Sequence, residues 1–157
     1  MAAWMAERGL VEEAVRHSAD AGDWEGAAGY LIDDLAIGRL LLPGGEALAS
    51  VLARLPDDTQ GVAAALVRAA LAVAVFDVEA CQEHLLLAEG RLDGARTPHW
   101  SAAGLALQTV RLTHAAAVAD GDSGLDAAAA AEKLLQVQQR QRLAAHPELS
   151  PCMRDGM

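Results

Sequence analysis

Two similar turns decide the fold of this chain: Gly9-Leu10-Val11-Glu12-Glu13-Ala14-Val15-Arg16-His17 and Gly22-Asp23-Trp24-Glu25-Gly26-Ala27-Ala28-Gly29-Tyr30. In each, a Gly precedes a predicted helix, and an Ala follows the Gly by five positions; a small residue there lets the two helices of a hairpin approach closely. Related turns return at Phe76-Asp77-Val78-Glu79-Ala80-Cys81 and Gly121-Asp122-Ser123-Gly124-Leu125-Asp126. A recurring helical hairpin predicts stacked helices, each of which buries the apolar face of its neighbour. Such a stack is typical of binding proteins rather than enzymes.

The composition favours an all-helical domain. The chain has 157 residues, of which 53% are apolar and only 3% aromatic. Its core must therefore be built from Ala, Leu and Val, and Ala-rich segments have a high helix propensity. No segment alternates apolar and polar residues as a half-buried strand would. Trp4, Trp24 and Trp100 each fall on an apolar helical stripe, which predicts that they pack within the stack.

The apolar spacing and the breaks at Gly and Pro predict the positions of the helices. After a short helix that ends near Arg8, we predict helices over about 10–21, 23–42 (with a potential interruption at Gly38), 46–55, 59–75, 78–92, 97–120 and 124–143. The helix over 59–75 is apolar on nearly every side, so it belongs in the middle of the stack. We predict an all-α fold of about seven or eight helices, arranged as stacked antiparallel hairpins in a single domain over 1–145, with an irregular tail over 146–157.

The charge and the cysteines restrict the classes of function. A formal net charge of −10 argues against binding to DNA or RNA and to anionic membrane surfaces. Cys81 and Cys152 are too few for a disulfide framework, and we expect both to be free thiols in a reducing cytosol. The most apolar stretch, 61–78, contains Arg68 and Asp77, which favours a buried helix over a membrane span. We therefore expect a cytoplasmic protein.

The sequence of the first thirty residues is similar to that of a known protein family. The runs from Ala3 to His17 and from Ala21 to Ala28 resemble the start of the tetratricopeptide-like (TPR-like) region in LuxR-type, MalT-like bacterial transcriptional regulators. The resemblance covers roughly residues 1–35, and from residue 44 onward only the helical-repeat character agrees. It implies a TPR-like α-solenoid that follows an NTPase module and precedes a helix-turn-helix domain. Both ends of the chain look cut, so we expect an excised piece of such a regulator.

Motifs for catalysis, cofactors and metals are incomplete in this sequence. Gly121-Asp122-Ser123-Gly124 lacks the Gly-Lys-Ser/Thr ending of a phosphate-binding loop and follows no predicted strand. Cys81 and His84 have a spacing that can chelate a metal, but a second pair of ligands does not follow at motif spacing. Neither Cys81 with His84 nor Ser101 with His99 has a third orienting residue or an oxyanion feature. The sequence thus predicts no enzyme activity, no cofactor and no metal site in this segment.

The concave face of the predicted stack is the remaining candidate site. In helical repeats the first helix of each hairpin lines the inner surface, which here assigns the helices over 59–75 and 97–120 to a groove. The candidate groove residues on these two helices are Arg68, Gln108, Arg111 and His114. One interpretation is that Arg68 and Arg111 bind a carboxylate or an acidic peptide in the groove. The alternative is that each pairs with a neighbouring acidic residue such as Glu83 or Asp77, and that His114 is a satisfied core or groove histidine.

Two functional hypotheses follow. In the first, the chain is the sensor segment of a LuxR-type, MalT-like regulator that receives an inducer or a partner protein and relays the signal to NTPase and DNA-binding modules elsewhere. In the second, it is a scaffolding repeat domain that binds another protein and has no small-molecule site. An exposed apolar strip would favour the second hypothesis and would also drive self-association. An all-helical enzyme is a third class, for which the sequence supplies no polar constellation.

Overall fold

The computed structural model describes residue 2, residues 10–95 and residues 101–118. This part of the chain contains six α-helices, one short 3-10 segment and no strand, which confirms the all-helical prediction there. Their bounds are α1 Val11–Asp20, α2 Trp24–Asp33, the 3-10 segment Ala36–Leu40, α3 Glu46–Leu52, α4 Val62–Ala74, α5 Val78–Gly94 and α6 Ala102–Val118. The predicted helix ending near Arg8, both ends of the predicted helix over 97–120, the predicted helix over 124–143 and the tail over 146–157 lie outside the described residues.

Helix α4 is the centre of the described structure. It contacts α2, α5, α6 and the 3-10 segment, and its buried residues are Ala64, Ala65, Leu66, Val67, Ala69, Ala70 and Val73. Buried side chains point from nearly every side of this helix, because neighbours surround it. Among the described residues this helix is thus surrounded by neighbours, whereas the stack in whose middle it was predicted to lie stays a prediction.

The helices pair as two hairpins with a further helix beside the second. Helix α1 packs on α2, α4 packs on α5, and α6 packs against both α4 and α5. Helix α2 also contacts α6, and this contact skips the α4–α5 hairpin. In an extended repeat stack each unit contacts only its neighbours. The described part is therefore more compact around α4 than a simple row of hairpins.

The predicted helix over 23–42 ends earlier than expected. Helix α2 stops at Asp33, and Leu35 adopts a left-handed conformation with φ 54°. The interruption is therefore at residues 34–35 and not at Gly38, which lies inside the 3-10 segment. This reversal redirects the chain so that three apolar side chains enter the core, and these are Ala36, Ile37 and Leu40. Leu35 itself is half-buried.

The other boundaries differ from the predictions by a few residues. Helix α3 ends at Leu52 rather than at residue 55, and α4 begins at Val62 rather than at residue 59. Helix α5 extends through Gly94, although 93–96 was expected to be a loop. Between α3 and α4 the chain makes an irregular connection, in which Gly61 has φ +108°, a value that L side chains rarely adopt. No helix of the described residues is long and apolar enough to cross a membrane.

Candidate functional site

The turn between α1 and α2 stops one helix and starts the next. Gly22 has φ +78°, the left-handed conformation that glycine adopts without steric cost. The Gly22 N–H donates to the Ala19 carbonyl at 3.0 Å, and the Asp23 N–H donates to the Ser18 carbonyl at 2.9 Å. These two bonds define the Schellman motif, which satisfies the last carbonyls of a helix. The Asp23 side chain then accepts from Gly26 N at 2.9 Å and caps α2.

The turn between α4 and α5 repeats these hydrogen bonds with a different residue at the reversal. The Phe76 N–H donates to the Val73 carbonyl at 3.0 Å, and the Asp77 N–H donates to the Ala72 carbonyl at 2.9 Å. The Asp77 side chain accepts from Ala80 N at 3.1 Å and caps α5. Phe76 itself has φ +61°. A left-handed conformation costs a residue with a Cβ about 1–2 kcal/mol, so Phe76 is strained where Gly22 is not.

The small residues that follow these turns are all buried. Five positions after Gly22 lies Ala27, and five positions after Phe76 lies Cys81; both are 0% exposed. Ala14, the corresponding residue of the first turn pattern, is also 0% exposed. The predicted role of this position, close packing within a hairpin, is confirmed at these residues.

Large apolar side chains are exposed at the second turn and just after the 3-10 segment. Phe76 is 78% exposed, Val75 74% and Leu42 66%. Phe76 also lines a cleft of about 380 Å³, together with Leu41, Val73, Ala74, Thr113, Ala116 and Ala117. We call the exposed side chains of Leu42, Val75 and Phe76, together with this cleft, the Phe76 patch. Exposed apolar surface of this kind marks interaction sites.

The predicted groove residue Arg68 is engaged within the chain. Its guanidinium, half-buried on α4, donates to the backbone carbonyl of Thr59 at 3.2 Å and to that of Pro56. Arg91 on α5 holds the same connection, because it donates to the Gly61 carbonyl at 2.7 Å and to Gln60 Oε1 at 2.8 Å. Both arginines therefore fix the path of residues 56–61. Neither Glu83 nor Asp77 is the hydrogen-bond partner of Arg68; the partners are backbone carbonyls.

The other groove residues lie on α6, and two of them join it to α5. Arg111 Nη2 lies 2.7 Å from Glu89 Oε2, with about a third of each side chain exposed. His114 Nε2 lies 3.0 Å from the Val78 carbonyl, which agrees with a satisfied histidine. Gln108 is half-buried on the same helix. Arg111 and His114 thus bind α5, whereas Arg68 binds the 56–61 connection, so these residues do not form one cluster. Ligand binding by any of the four stays a prediction.

The cysteine and histidine pair on α5 lies in or against the core. Cys81 is a free, buried cysteine, and burial, with a smaller contribution from the Asp77 charge, raises its pKa to about 11. A thiol of this kind is not a nucleophile at neutral pH. Burial and the Arg68 charge lower the pKa of His84, and its buried Nδ1 has no hydrogen-bond partner. Among the described residues, no three of His, Cys, Asp and Glu are placed to hold a metal ion.

A second cleft lies beside the α1–α2 turn. It has a volume of about 570 Å³ and is open to solvent, and its lining includes Gly22, Asp23, Trp24 and Gln60. Trp24 is half-buried and packs against the core, as predicted from its apolar stripe, and the Arg54 guanidinium lies 5.7 Å from its ring centre. Trp4 and Trp100 lie outside the described residues. A cation of the same protein therefore already lies over the Trp24 ring.

Comparisons with known proteins do not assign the chain. No protein-family model matches it, and neither the curated proteins nor the solved structures contain a match.

Reasoning from the sequence did not single out the Phe76 patch. A signal was present, because Phe76 occupies the place in its turn that Gly22 occupies in the first. An aromatic residue where the backbone requires positive φ has to be explained by something other than the turn itself. Arg91 was also missed, since its partners at Gly61 and Gln60 are about thirty residues away along the chain.

Proposed function

We propose that this chain is a non-catalytic helical-repeat segment of a LuxR-type, MalT-like transcriptional regulator. In this role it receives a partner protein or an inducer in the cytoplasm and relays the signal to NTPase and DNA-binding modules outside the chain. The observation that carries the proposal is the repetition of one turn, with the same hydrogen bonds at Gly22-Asp23 and at Phe76-Asp77. Tandem helical hairpins with a shared turn are the signature of repeat domains. The resemblance of residues 3–28 to the start of the family's repeat region supports the choice of family.

We further propose that the hairpins continue as a TPR-like stack of about seven or eight helices. Helix α6 supports this extension because it is apolar on two faces. Its Val110 face belongs to the core around α4, whereas Leu105 and Ala115 are buried outside that cluster of the described chain. A helix with two apolar faces needs a neighbour on each. The predicted helix over 124–143 is the natural second neighbour.

A protein partner fits the described residues better than an anionic small molecule. Arg68 and Arg111 were the expected donors for a carboxylate, and both are engaged with groups of the chain itself. The two most exposed large apolar side chains of the described residues, in contrast, are Phe76 and its chain neighbour Val75. The same patch also favours the second candidate function, a scaffolding repeat domain that binds a protein and has no small-molecule ligand.

A receiver responds to a ligand when the ligand binds its two conformational states with unequal affinity. A ligand can shift a conformational equilibrium only by the difference in its affinity for the two states. In a stack of hairpins, the states differ in the angle between neighbouring units, so a partner that spans two units favours one curvature. The Phe76 patch meets this requirement, because side chains from the α2–α3 connection, α4 and α6 contribute to it.

The proposal is tested by measuring ligand binding and chemistry on the purified chain. We expect no ATP hydrolysis above buffer and no binding of a labelled duplex DNA at about 0.15 M salt, a concentration at which basic DNA-binding surfaces still bind. A thermal-shift screen of metabolites, followed by calorimetry on the wild type and on Arg68→Ala and Arg111→Ala, then separates the two candidates. A saturable increase in Tm supports an inducer site, and unchanged affinity in both variants places that site away from the groove. ATP hydrolysis or duplex binding by the chain would contradict the proposal.

A further inference from the structure

We propose that protonation of His84 on α5 weakens the hold of Arg68 on residues 56–61, so that this connection loosens when the pH falls below neutral. The connection joins α3 to α4, and its path depends on hydrogen bonds from Arg68 and Arg91. The central hairpin of the described chain thus contains a pH-sensitive element. This inference goes beyond the proposed function and does not depend on which partner the chain binds.

The first argument is that the α4–α5 hairpin brings His84 and Arg68 to the same level. Phe76 lies in the reversal between the two helices. Arg68 precedes Phe76 by eight residues and His84 follows it by eight, so both lie about 12 Å along their helices from the turn. The Arg91 hydrogen bond to the Gly61 carbonyl joins two residues that are each fifteen positions from Phe76. It therefore fixes the same register, in which His84 and Arg68 are opposite each other.

The second argument is the state of the His84 ring. Its Nδ1 is buried and has no hydrogen-bond partner among the described residues. A neutral imidazole can leave this nitrogen without a proton, whereas an imidazolium carries an N–H on both ring nitrogens. Protonation therefore places a charged donor at Nδ1 with no acceptor, and a buried charge without a partner is costly. The cation is accommodated only if the ring or the groups around it move.

The third argument is the balance of charges at the ring. Arg68 is the one ionisable side chain of α4, and a guanidinium keeps its positive charge at every acidic pH. Burial lowers the pKa of His84 below its ordinary value of 6.5, and the Arg68 charge lowers it further. Glu83 and Asp77 on α5 oppose this shift, but both are exposed to solvent. The positive charge of Arg68 and the burial of the ring therefore prevail.

The other ionisable groups on the packed elements have partners, stay neutral or face solvent. On α6, Arg111 is paired with Glu89, and His114 contacts the Val78 carbonyl. Cys81 keeps its proton below neutral pH, because burial raises its pKa to about 11. The exposed acidic residues on α5 and on the connection are Asp57, Asp58, Glu79 and Asp93. Arg91 holds the connection itself.

The hydrogen bonds of Arg68 link this repulsion to the connection. Its guanidinium donates to the carbonyls of Thr59 and Pro56, so a guanidinium displaced by a cation at His84 loses these two acceptors. The folded chain binds the proton less tightly than an opened chain in which His84 has its ordinary pKa. The closed connection is therefore favoured above pH 6.5, and this preference is lost as the pH falls below that value.

Hydrogen exchange of the whole chain, followed by mass spectrometry, tests the proposal. The Thr59 N–H donates to the Pro56 carbonyl at 3.0 Å, so a peptide over 56–61 reports on the connection. Wild type and His84→Gln are compared at the same pH, which cancels the intrinsic rate. The ratio of their rates should rise at least about threefold from about pH 7.5 to about pH 5. His17→Gln, which changes an exposed histidine of α1, should behave as the wild type.

The two arginines separate the proposed route from a general loss of stability. Arg68→Gln and Arg91→Gln both remove hydrogen bonds to the connection, so each should speed its exchange at both pH values. Because Arg68 is the charge that repels His84, the additional increase at acidic pH should be absent in Arg68→Gln and present in Arg91→Gln. An acidic increase that persists in Arg68→Gln would overturn the proposal.

Two further results would also overturn it. One is a ratio between wild type and His84→Gln that does not change with pH. The other is an equal acceleration of exchange in all the helices, since His84 would then act on the whole fold and not on the connection. If His84→Gln does not fold, an NMR titration of the wild-type imidazole still decides. We expect His84 to be half-protonated below pH 6.5, and a midpoint at or above that value contradicts the proposal.

Discussion

The two hairpin turns of the described chain make the same hydrogen bonds with different residues at the reversal. Gly22 and Phe76 both adopt a left-handed conformation, and each is followed by an Asp that caps the next helix. In the first turn the left-handed backbone is free of strain, because glycine has no Cβ. In the second turn the same backbone conformation is strained by the Cβ of Phe76, whose large ring is also exposed to solvent. The difference separates what the fold requires at this position from what it does not.

The two hairpins are equivalent only if their helices pack alike. The buried small residues that follow each turn, Ala27 and Cys81, test this point. Ala27→Leu and Cys81→Leu should each lower the free energy of unfolding by about 1–3 kcal/mol, because both positions are fully buried and extra methylenes in a well-packed core force neighbouring groups to shift. Urea denaturation measures both variants, with Cys81→Ala as the control of similar size. A Leu tolerated at one position and not at the other would show that the hairpins are not equivalent.

The reversal residues themselves should respond with opposite signs. Phe76→Gly should raise the free energy of unfolding by about 1 kcal/mol, since it relieves the left-handed strain. Gly22→Ala should lower it by about the same amount, because the new Cβ meets no neighbour within 4 Å and only the backbone conformation is penalised. Midpoints of urea unfolding compare the two variants with the wild type. If Phe76→Gly destabilises the protein, the ring supports the fold by more than the left-handed strain costs it.

The two helix caps should cost similar amounts when they are removed. Asp23→Ala and Asp77→Ala each delete a side-chain acceptor for the first turn of a helix, which typically costs about 1 kcal/mol. Thermal unfolding followed by circular dichroism should show a lower Tm for both variants, while Asp23→Asn and Asp77→Asn, which keep an acceptor oxygen, should stay close to the wild type. A marked difference between the two Ala variants would show that one turn depends on its cap more than the other.

The smallest effect at neutral pH concerns the sulfur that distinguishes Cys81 from Ala27. Burial raises the pKa of Cys81 from an ordinary value of 9.0 to about 11, so between these pH values the unfolded chain loses the thiol proton and the folded chain keeps it. The free energy of unfolding should therefore fall as the pH rises from 9 to 11. In Cys81→Ala this part of the pH dependence should be absent, whereas at pH 7 the two proteins should not differ in this respect. An identical slope in both proteins would contradict the assignment.

The helices were predictable where local signals agree with packing. Asp23 and Asp77 follow a reversal and precede an apolar stripe, so the starts of α2 and α5 follow from the sequence. The end of α2 did not, because Leu35 carries no signal for a left-handed conformation and adopts it to direct the 3-10 segment into the core. The site was less predictable still. The partners of Arg68 are backbone carbonyls of the irregular connection before α4, and the path of such a connection does not follow from helical spacing.

The arginines on the 56–61 connection have a mechanical consequence. Arg68 belongs to α4 and Arg91 to α5, and both donate hydrogen bonds to backbone carbonyls of residues 56–61. Helix α4 is a rod about 20 Å long with this clasp at one end and Phe76 just beyond the other. Neither helix can slide or tilt against the other without pulling the clasped backbone along or breaking its hydrogen bonds. A displacement of α4 at the Phe76 end is therefore expected to move the connection over residues 56–61 at the other end as well.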